Sequence, residues 1–276
     1  MANTLYITDL DGTLLSPRAA LSPFAAQHLP RLLRGGLQFT VATARTWQSA
    51  GRLLKDILPL PVPAVLLNGA LIYDTRTQDY VKKEIMPEER VRELLRVVKA
   101  HGQTGFLYSI KEGFIHPYHE DLSGRPLLQA FRDVRGFYTF TQVPDLAARA
   151  GEDIVYLTIQ GAYDELLPLC GAIQTLPGLD CVLYGDSYAQ GIWYLESFSH
   201  TASKYNAVRF LREQYGFGRV VGFGDNLNDI PLLRACDEGY AVANAREELK
   251  AIATGVIAPN AEDGVVKFLM AEQNTL

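Results

Sequence analysis

Short apolar runs ending in polar clusters recur along the chain, with amphipathic stretches between them. Thr4 to Thr8 is short, apolar and rich in β-forming residues, and predicts a buried strand. Ser22-Pro23 then opens a helix that runs to about Arg34, with Ser22 as its cap and Pro23 at its first position, before Gly35-Gly36. Residues 37–42 predict a second strand, which ends at Thr43-Ala44-Arg45. A helix over about 46–57 follows, carrying Leu53, Leu54 and Ile57 on one face, and Val62 to Leu67 predicts a third strand ending at Asn68-Gly69. This alternation is that of a parallel sheet covered on both faces.

The rhythm then changes. Leu71-Ile72-Tyr73 and Tyr80 to Lys83 flank the turn-rich Asp74 to Thr77 and predict a hairpin. Glu88 to His101 predicts an amphipathic helix with Val91, Leu94, Leu95 and Val98 inward. Short strands over 106–108, 113–116, 154–160, 181–184 and 192–195, with a helix over 163–176, predict a separate α+β layer. After Ser203 the first rhythm resumes with a helix to about Tyr215 and the apolar strand Arg219 to Phe223. That strand runs into Gly224-Asp225-Asn226-Leu227-Asn228-Asp229. Helices over 230–236, 246–253 and 263–271 alternate with strands over 239–243 and 255–257. The expected fold is α/β, with a Rossmann-like parallel-sheet core at 1–83 and 198–276. An inserted α+β cap domain occupies 84–197.

Composition narrows the function classes. The 276 residues are 48% apolar, enough for a real core, and the formal net charge of −5 with interspersed signs disfavours a nucleic-acid surface. Cys170, Cys181 and Cys236 lie far apart and form no CxxC, so they read as small buried apolar residues of a reducing compartment. The histidines have no zinc-type spacing. The longest uncharged run, 57–73, holds Pro59, Pro61 and Pro63 and makes a poor membrane helix. With no basic region before Asp9 to begin a signal peptide, a soluble cytoplasmic protein is expected, a monomer or homodimer without membrane or nucleic-acid partners.

Four of the predicted core strands end in polar residues: Asp9 and Asp11, Thr43, Asn68, and the cluster Asp225, Asn228, Asp229. In an open parallel sheet, ligands bind beyond these carboxyl ends. Asp9 and Asp11 alone fit an acidic turn, but four such ends meeting at one sheet edge is not ordinary turn chemistry. Asp9, Asp11 and Asp225 offer hard oxygen ligands suited to Mg²⁺. Lys204 by spacing alone reads as a solvated surface charge, yet a carboxylate nucleophile facing a phosphoryl group needs a positive neighbour. Thr43 offers a hydroxyl just before a helix N-terminus, where backbone N–H groups favour anions.

These residues resemble, in order, the four motifs of the haloacid dehalogenase superfamily, and within it the Cof-type phosphatases with an inserted α/β cap. They are Asp9-Leu10-Asp11-Gly12-Thr13, then Thr43 in Val41 to Arg45, then Lys204, then the GDxxND of Gly224 to Asp229. Asn68-Gly69-Ala70 and Asn244-Ala245 match two further signatures of that family. The chain departs from the pattern at Ala44, where relatives often carry glycine, and at Tyr205-Asn206 after Lys204. The resemblance implies a Mg²⁺-dependent phosphatase of small phosphorylated metabolites, sugar phosphates first. In it Asp9 attacks phosphorus, and Asp11 protonates the leaving oxygen and then activates water. It also implies Mg²⁺ on Asp9, the Asp11 carbonyl and Asp225, with Thr43 and Lys204 on the phosphoryl oxygens. Ala44, Arg45, Asn68, Asn228 and Asp229 are expected in support. The cap is expected to close over the site and read the leaving group, with Tyr118, His119, Arg125, Tyr184 and Tyr188 as its weaker candidates. A phosphotransferase or mutase of the same fold and a non-catalytic phospho-ligand binder are the alternatives.

Overall fold

The computed structural model describes residues 3–274. The chain forms two compact units, one built from residues up to Lys82 together with those from Ser203 on, the other from Lys83–Ala202. In chain order the first segment comprises β1 (Thr4–Thr8), α1 (Pro23–Arg34), β2 (Gln38–Val41), α2 (Trp47–Leu53), β3 (Ala64–Leu66), β4 (Leu71–Asp74) and β5 (Asp79–Lys83). The hydroxyl of Ser22 accepts from the Ala25 N–H at the start of α1, which turns Ala25, Leu29 and Leu32 into the core.

The inserted unit follows, with α3 (Glu88–Ala100), β6 (Phe106–Lys111), β7 (Phe114–His119), α4 (Pro126–Asp133) and β8 (Thr141–Gln142). It continues through β9 (Ile154–Gly161), α5 (Tyr163–Gln174), β10 (Leu179–Gly185) and β11 (Trp193–Ser199). Its six strands form one sheet in the order β10-β11-β9-β6-β7-β8. Leu94 and Leu95 of α3 and Leu166, Leu169 and Ile173 of α5 belong to one apolar cluster with Leu107, Leu157, Ile159 and Leu195 of the sheet. α4 and β8 go beyond the sequence expectation. Pro126 reads as a helix breaker, but here it stands within the first two positions of a helix, where its missing N–H costs nothing.

The chain then returns to the first unit with α6 (Lys204–Tyr215), β12 (Arg219–Gly224), α7 (Ile230–Ala235), β13 (Glu238–Val242), α8 (Glu247–Lys250), β14 (Gly255–Ile257) and α9 (Gly264–Asn274). Its main sheet is parallel, in the order β14-β13-β12-β1-β2. β1 is therefore flanked by β12 and β2, the place where the strand order reverses and an open α/β sheet takes its ligand. The register puts Thr8 opposite both Phe223 and Val41, so the residues after these three strands emerge at one level.

The third predicted strand differs from expectation. β3 belongs to a separate three-stranded sheet ordered β3-β4-β5 and pairs antiparallel with β4. One parallel bridge, Ala42 to Val65, joins it to the end of β2. The prolines at 59, 61 and 63 limit the backbone donors just before β3, which keeps the parallel pairing short. Asn68 still reaches the same edge, because the Thr43 N–H donates to the Val65 carbonyl and the Asn68 N–H to the Thr43 carbonyl. No helix among the described residues is long and apolar enough to cross a membrane.

Candidate active site

The turn after β1 brings the first acids into place. The Asp9 N–H donates to the Phe223 carbonyl, extending the β1–β12 pairing by one residue and leaving the Asp9 side chain at the sheet edge. Gly12 follows at φ +79°, and a Cβ there would stand 2.3 Å from Asp225 Oδ2. Only glycine lets this turn pass so close to the second acidic cluster. Thr13 donates its hydroxyl to Asp225 Oδ1 at 2.8 Å, tying the two acidic motifs together. The Asn244 amide donates to the Gly12 carbonyl and the Asn260 amide to the Leu15 carbonyl, while the Asn260 N–H donates to Asn244 Oδ1.

Lys204 is the centre of charge. Its ammonium lies 2.6 Å from Asp9 Oδ1 and 2.6 Å from Asp229 Oδ1. The lysine is 1% exposed, and it sits on the buried stripe of α6 with Ala207, Val208 and Leu211. Burial by itself would drive the lysine toward neutrality, but Asp229 and Asp9 overcome it and hold the ammonium well above the usual lysine range. The Asp229 Oδ2 accepts the N–H groups of Asp225 and Asn226, so both of its oxygens are engaged by donors. Asp229 thus orients Lys204 and braces the turn after β12.

Oxygens of Asp9, Asp225 and Asp229, all buried, come within 4.8 Å of one another. Burial raises the Asp9 carboxyl well above its ordinary range, with Asp229, Asp225 and Asp11 adding to the effect against Lys204. Burial, then Asp229, push the Asp225 carboxyl up to about 8, offset in part by the Thr13 hydroxyl. Such mutual repulsion among hard oxygens is the environment a divalent cation relieves, and the donor set fits one. Because Asp229 is committed to donors, Asp9 and Asp225 are the side chains of the cluster suited to the ion.

A consequence for stability follows from the sign of the Asp225 shift. A carboxyl raised from 3.8 to about 8 favours the folded state below pH 4, and that contribution is lost as pH rises to about 8. Metal-free protein should therefore melt lower at pH 8 than at pH 6. Asp225→Asn should flatten the slope and add about 1–2 kcal/mol to metal-free stability at pH 8 while abolishing turnover. Thermal melts across pH, with and without chelator, check both statements. A metal-free variant no more stable than the parent would contradict them.

The remaining candidates divide between the site and its support. Arg45 grips Asp11 with two parallel bonds, Nε to Oδ2 at 2.6 Å and Nη2 to Oδ1 at 2.6 Å, and its Nη1 donates to Ser49 Oγ at 2.8 Å. This fork orients the half-exposed Asp11 carboxylate. Thr43 is buried, and its hydroxyl accepts from the Arg45 N–H. It does not cap the next helix. Its N–H is tied to Val65, and Thr46, three residues on, accepts from the Ser49 N–H at the start of the seven-residue α2. Ala44 lies half-buried on the bend between them. Asn68, in the left-handed region at φ +53°, accepts from the Asn228 amide at 3.2 Å, so these two form one buried pair.

Gly69 makes the closest approach. At φ +103°, a Cβ there would lie 2.2 Å from the Ser203 carbonyl oxygen and 3.0 Å from the Lys204 backbone nitrogen. Gly69→Ala should displace the start of α6 and with it the Lys204 ammonium. The expected result is a loss of about 2–4 kcal/mol in stability and at least tenfold in kcat, read by denaturant titration and steady-state kinetics. An unchanged variant would show that the approach is not needed.

Sequence reasoning missed Thr13 as the partner of Asp225, Ser49 and Asn260. Thr13 was visible inside the first motif, and its hydroxyl beside two acids was a usable signal. Asn260 carries no local signal, because its contact with Leu15 spans 245 residues. In the inserted unit, two of the weaker candidates are structural. Tyr118 packs in the helix-side core beneath Lys111 and Arg149, and His119 is buried with Nδ1 on the Glu120 carbonyl. Tyr184 donates to Glu196 at 2.8 Å, Arg125 bonds the Gly102 carbonyl, and Tyr188 is 41% exposed.

The parallel α/β core thus carries a buried lysine among carboxylates at its strand-order reversal, built from residues of the first and last motifs. The chain belongs to the haloacid dehalogenase-like hydrolase family, whose match spans residues 6–269. It is 27% identical over 278 residues to the pyridoxal phosphate phosphatase YbhA of Escherichia coli K12, covering 98% of each chain. It is 26% identical to the 5-amino-6-(5-phospho-D-ribitylamino)uracil phosphatase YitU of Bacillus subtilis 168, covering 96% of each. The fold is similar to that of the HAD subclass IIB sugar phosphatase BT4131, with a TM-score of 0.78 at 20% identity over 98% of this chain and 99% of that one. The expected enzyme class, a phosphatase of this superfamily, and the expected fold stand with these matches.

Proposed function

We propose that this protein is a Mg²⁺-dependent phosphatase of small phosphomonoesters that works through an aspartyl-phosphate on Asp9. The observation that carries the reading is the buried Lys204 held between Asp9 and Asp229 beside Asp225. An ammonium fixed there opposes the burial and the neighbouring acids that raise the Asp9 carboxyl, and presents positive charge to an incoming phosphoryl group. Asp9 attacks phosphorus in line, forming a C–O–P bond as the ester oxygen leaves. Asp11 gives that oxygen its proton, then takes one from the water that attacks phosphorus and regenerates Asp9 with release of inorganic phosphate. Mg²⁺ on Asp9, the Asp11 carbonyl and Asp225 would neutralise charge on the nucleophile and the phosphoryl oxygens. Thr43 and Lys204 hold those oxygens, and the Arg45 fork, which engages both Asp11 oxygens, must release one of them for Asp11 to carry that proton.

The substrate is a small phosphorylated metabolite of the cytoplasm, with sugar phosphates and phosphorylated cofactors as its two classes. Two relatives are a pyridoxal phosphate phosphatase and a 5-amino-6-(5-phospho-D-ribitylamino)uracil phosphatase, which supports testing cofactor phosphates such as pyridoxal phosphate and FMN beside the sugar phosphates. The net charge of −5 suits a metabolite rather than a nucleic-acid partner. A screen of sugar phosphates, nucleotides and cofactor phosphates, run with Mg²⁺ and with chelator, tests the assignment. Metal-dependent release of phosphate from at least one class is expected, and its absence across the panel would favour a phospho-ligand binder. Appearance of the phosphoryl group on an added acceptor alcohol in place of water would favour a phosphotransferase.

A further inference from the structure

The three cysteines are not the independent buried residues that their spacing suggests. Cys170 on α5 and Cys181 on β10 point into the same helix-side core of the inserted unit, and their sulfurs are 3.0 Å apart. The four-residue connection Thr175 to Gly178 folds the chain back tightly. The Leu176 N–H bonds to the Ile173 carbonyl and the Leu179 N–H to the Leu176 carbonyl, which sets Cys181 under the third turn of α5. A second contact, Cys181 Sγ to the Cys170 carbonyl at 3.4 Å, fixes the thiol against the helix. Cys236 differs: it belongs to the core unit, just after α7, and its Sγ donates to the Leu232 carbonyl of that helix.

We propose that Cys170 and Cys181 form a dithiol site that hydrogen peroxide oxidises to an intramolecular disulfide, clamping α5 to the edge strand β10. A disulfide needs its sulfurs at about 2.05 Å, roughly 1 Å closer than they stand here. The two groups also differ in reactivity. The hydrogen bond between the two thiols lowers the Cys170 thiol below its ordinary range, whereas the same bond and burial raise Cys181. Cys170 is therefore the attacking sulfur. Its thiolate attacks one peroxide oxygen, the O–O bond breaks, and water leaves after taking a proton, giving a sulfenic acid. Cys181 then attacks that sulfur, the S–O bond breaks, and a second water leaves. Two thiols lose two electrons and two protons, and one peroxide becomes two waters. A bulky disulfide oxidant would be a poor substitute, because both sulfurs are buried.

The test uses the full folded chain, exposed to hydrogen peroxide, then unfolded and alkylated. Untreated protein holds three alkylatable thiols. Treated protein should hold one, on Cys236, with a peptide linking Cys170 to Cys181 and full recovery of all three after reduction. Cys236→Ser should leave the cross-link unchanged. In Cys181→Ser, where the second step is blocked, a sulfenic-acid trap such as dimedone should label Cys170. Persistence of three thiols under peroxide that labels Cys170 in Cys181→Ser would overturn the proposal. So would irreversible oxidation of Cys170 without a cross-link, or a cross-link that includes Cys236.

Discussion

Asp9→Asn should abolish turnover, lowering kcat by about 10⁴-fold or more, while the variant keeps the circular dichroism and cooperative melting of the parent. The reason is chemical. An amide oxygen can accept the Lys204 hydrogen bond as the Asp9 carboxylate does, so the buried contact at 2.6 Å is largely preserved. What the amide cannot do is attack phosphorus and leave again as a stable carboxylate. The loss should thus fall on kcat, with little change in the binding of a non-hydrolysable phosphate analogue. Substantial Mg²⁺-dependent activity in the folded variant would remove Asp9 as the nucleophile.

The second large effect belongs to Lys204. Lys204→Met keeps the length and apolar stem of the side chain but removes the charge that Asp9 and Asp229 share. Both carboxylates are nearly inaccessible, at 5% and 0% exposure, so neither can recover by hydration. Breaking a buried ion pair from one side costs about 3–5 kcal/mol, and that is the expected loss in metal-free protein. Turnover should fall by about 10²–10³-fold, since a fixed cation facing the phosphoryl group is lost. Lys55→Met, at an exposed lysine, should stay within about 0.5 kcal/mol of the parent. Equal urea midpoints for the two variants would contradict the placement of Lys204 as the centre of the site.

Several of these features were legible in the sequence for physical reasons. The core strands announce themselves because both faces of a parallel sheet are buried, and their polar ends stand out against that apolar background. Lys204 was more legible than spacing alone suggested. It falls three, four and seven residues before Ala207, Val208 and Leu211, on the inward stripe of α6, so the helix pattern itself predicts a buried cation. The Cys170–Cys181 pair was hidden because it depends on how tightly the chain returns from α5 to β10, and no CxxC spacing records that. β3 was assigned to the wrong sheet because a short apolar run carries no information about its partner strand. The Arg45–Asp11 fork was equally invisible, since two residues 34 apart meet only once β1 and β2 lie side by side.

The central claim is that the phosphoryl group passes through Asp9, and it can be isolated with Asp11→Asn and p-nitrophenyl phosphate. That leaving group departs without a proton, so the first step survives the loss of Asp11. The second step needs Asp11 to activate water and should slow by about 10²–10⁴-fold. Acid quench followed by peptide mapping should then find close to one phosphoryl group per chain on Asp9, released by hydroxylamine as an acyl phosphate. Phosphate found on another residue, or continued turnover with no phosphoenzyme and no slowing of its hydrolysis, would contradict the account.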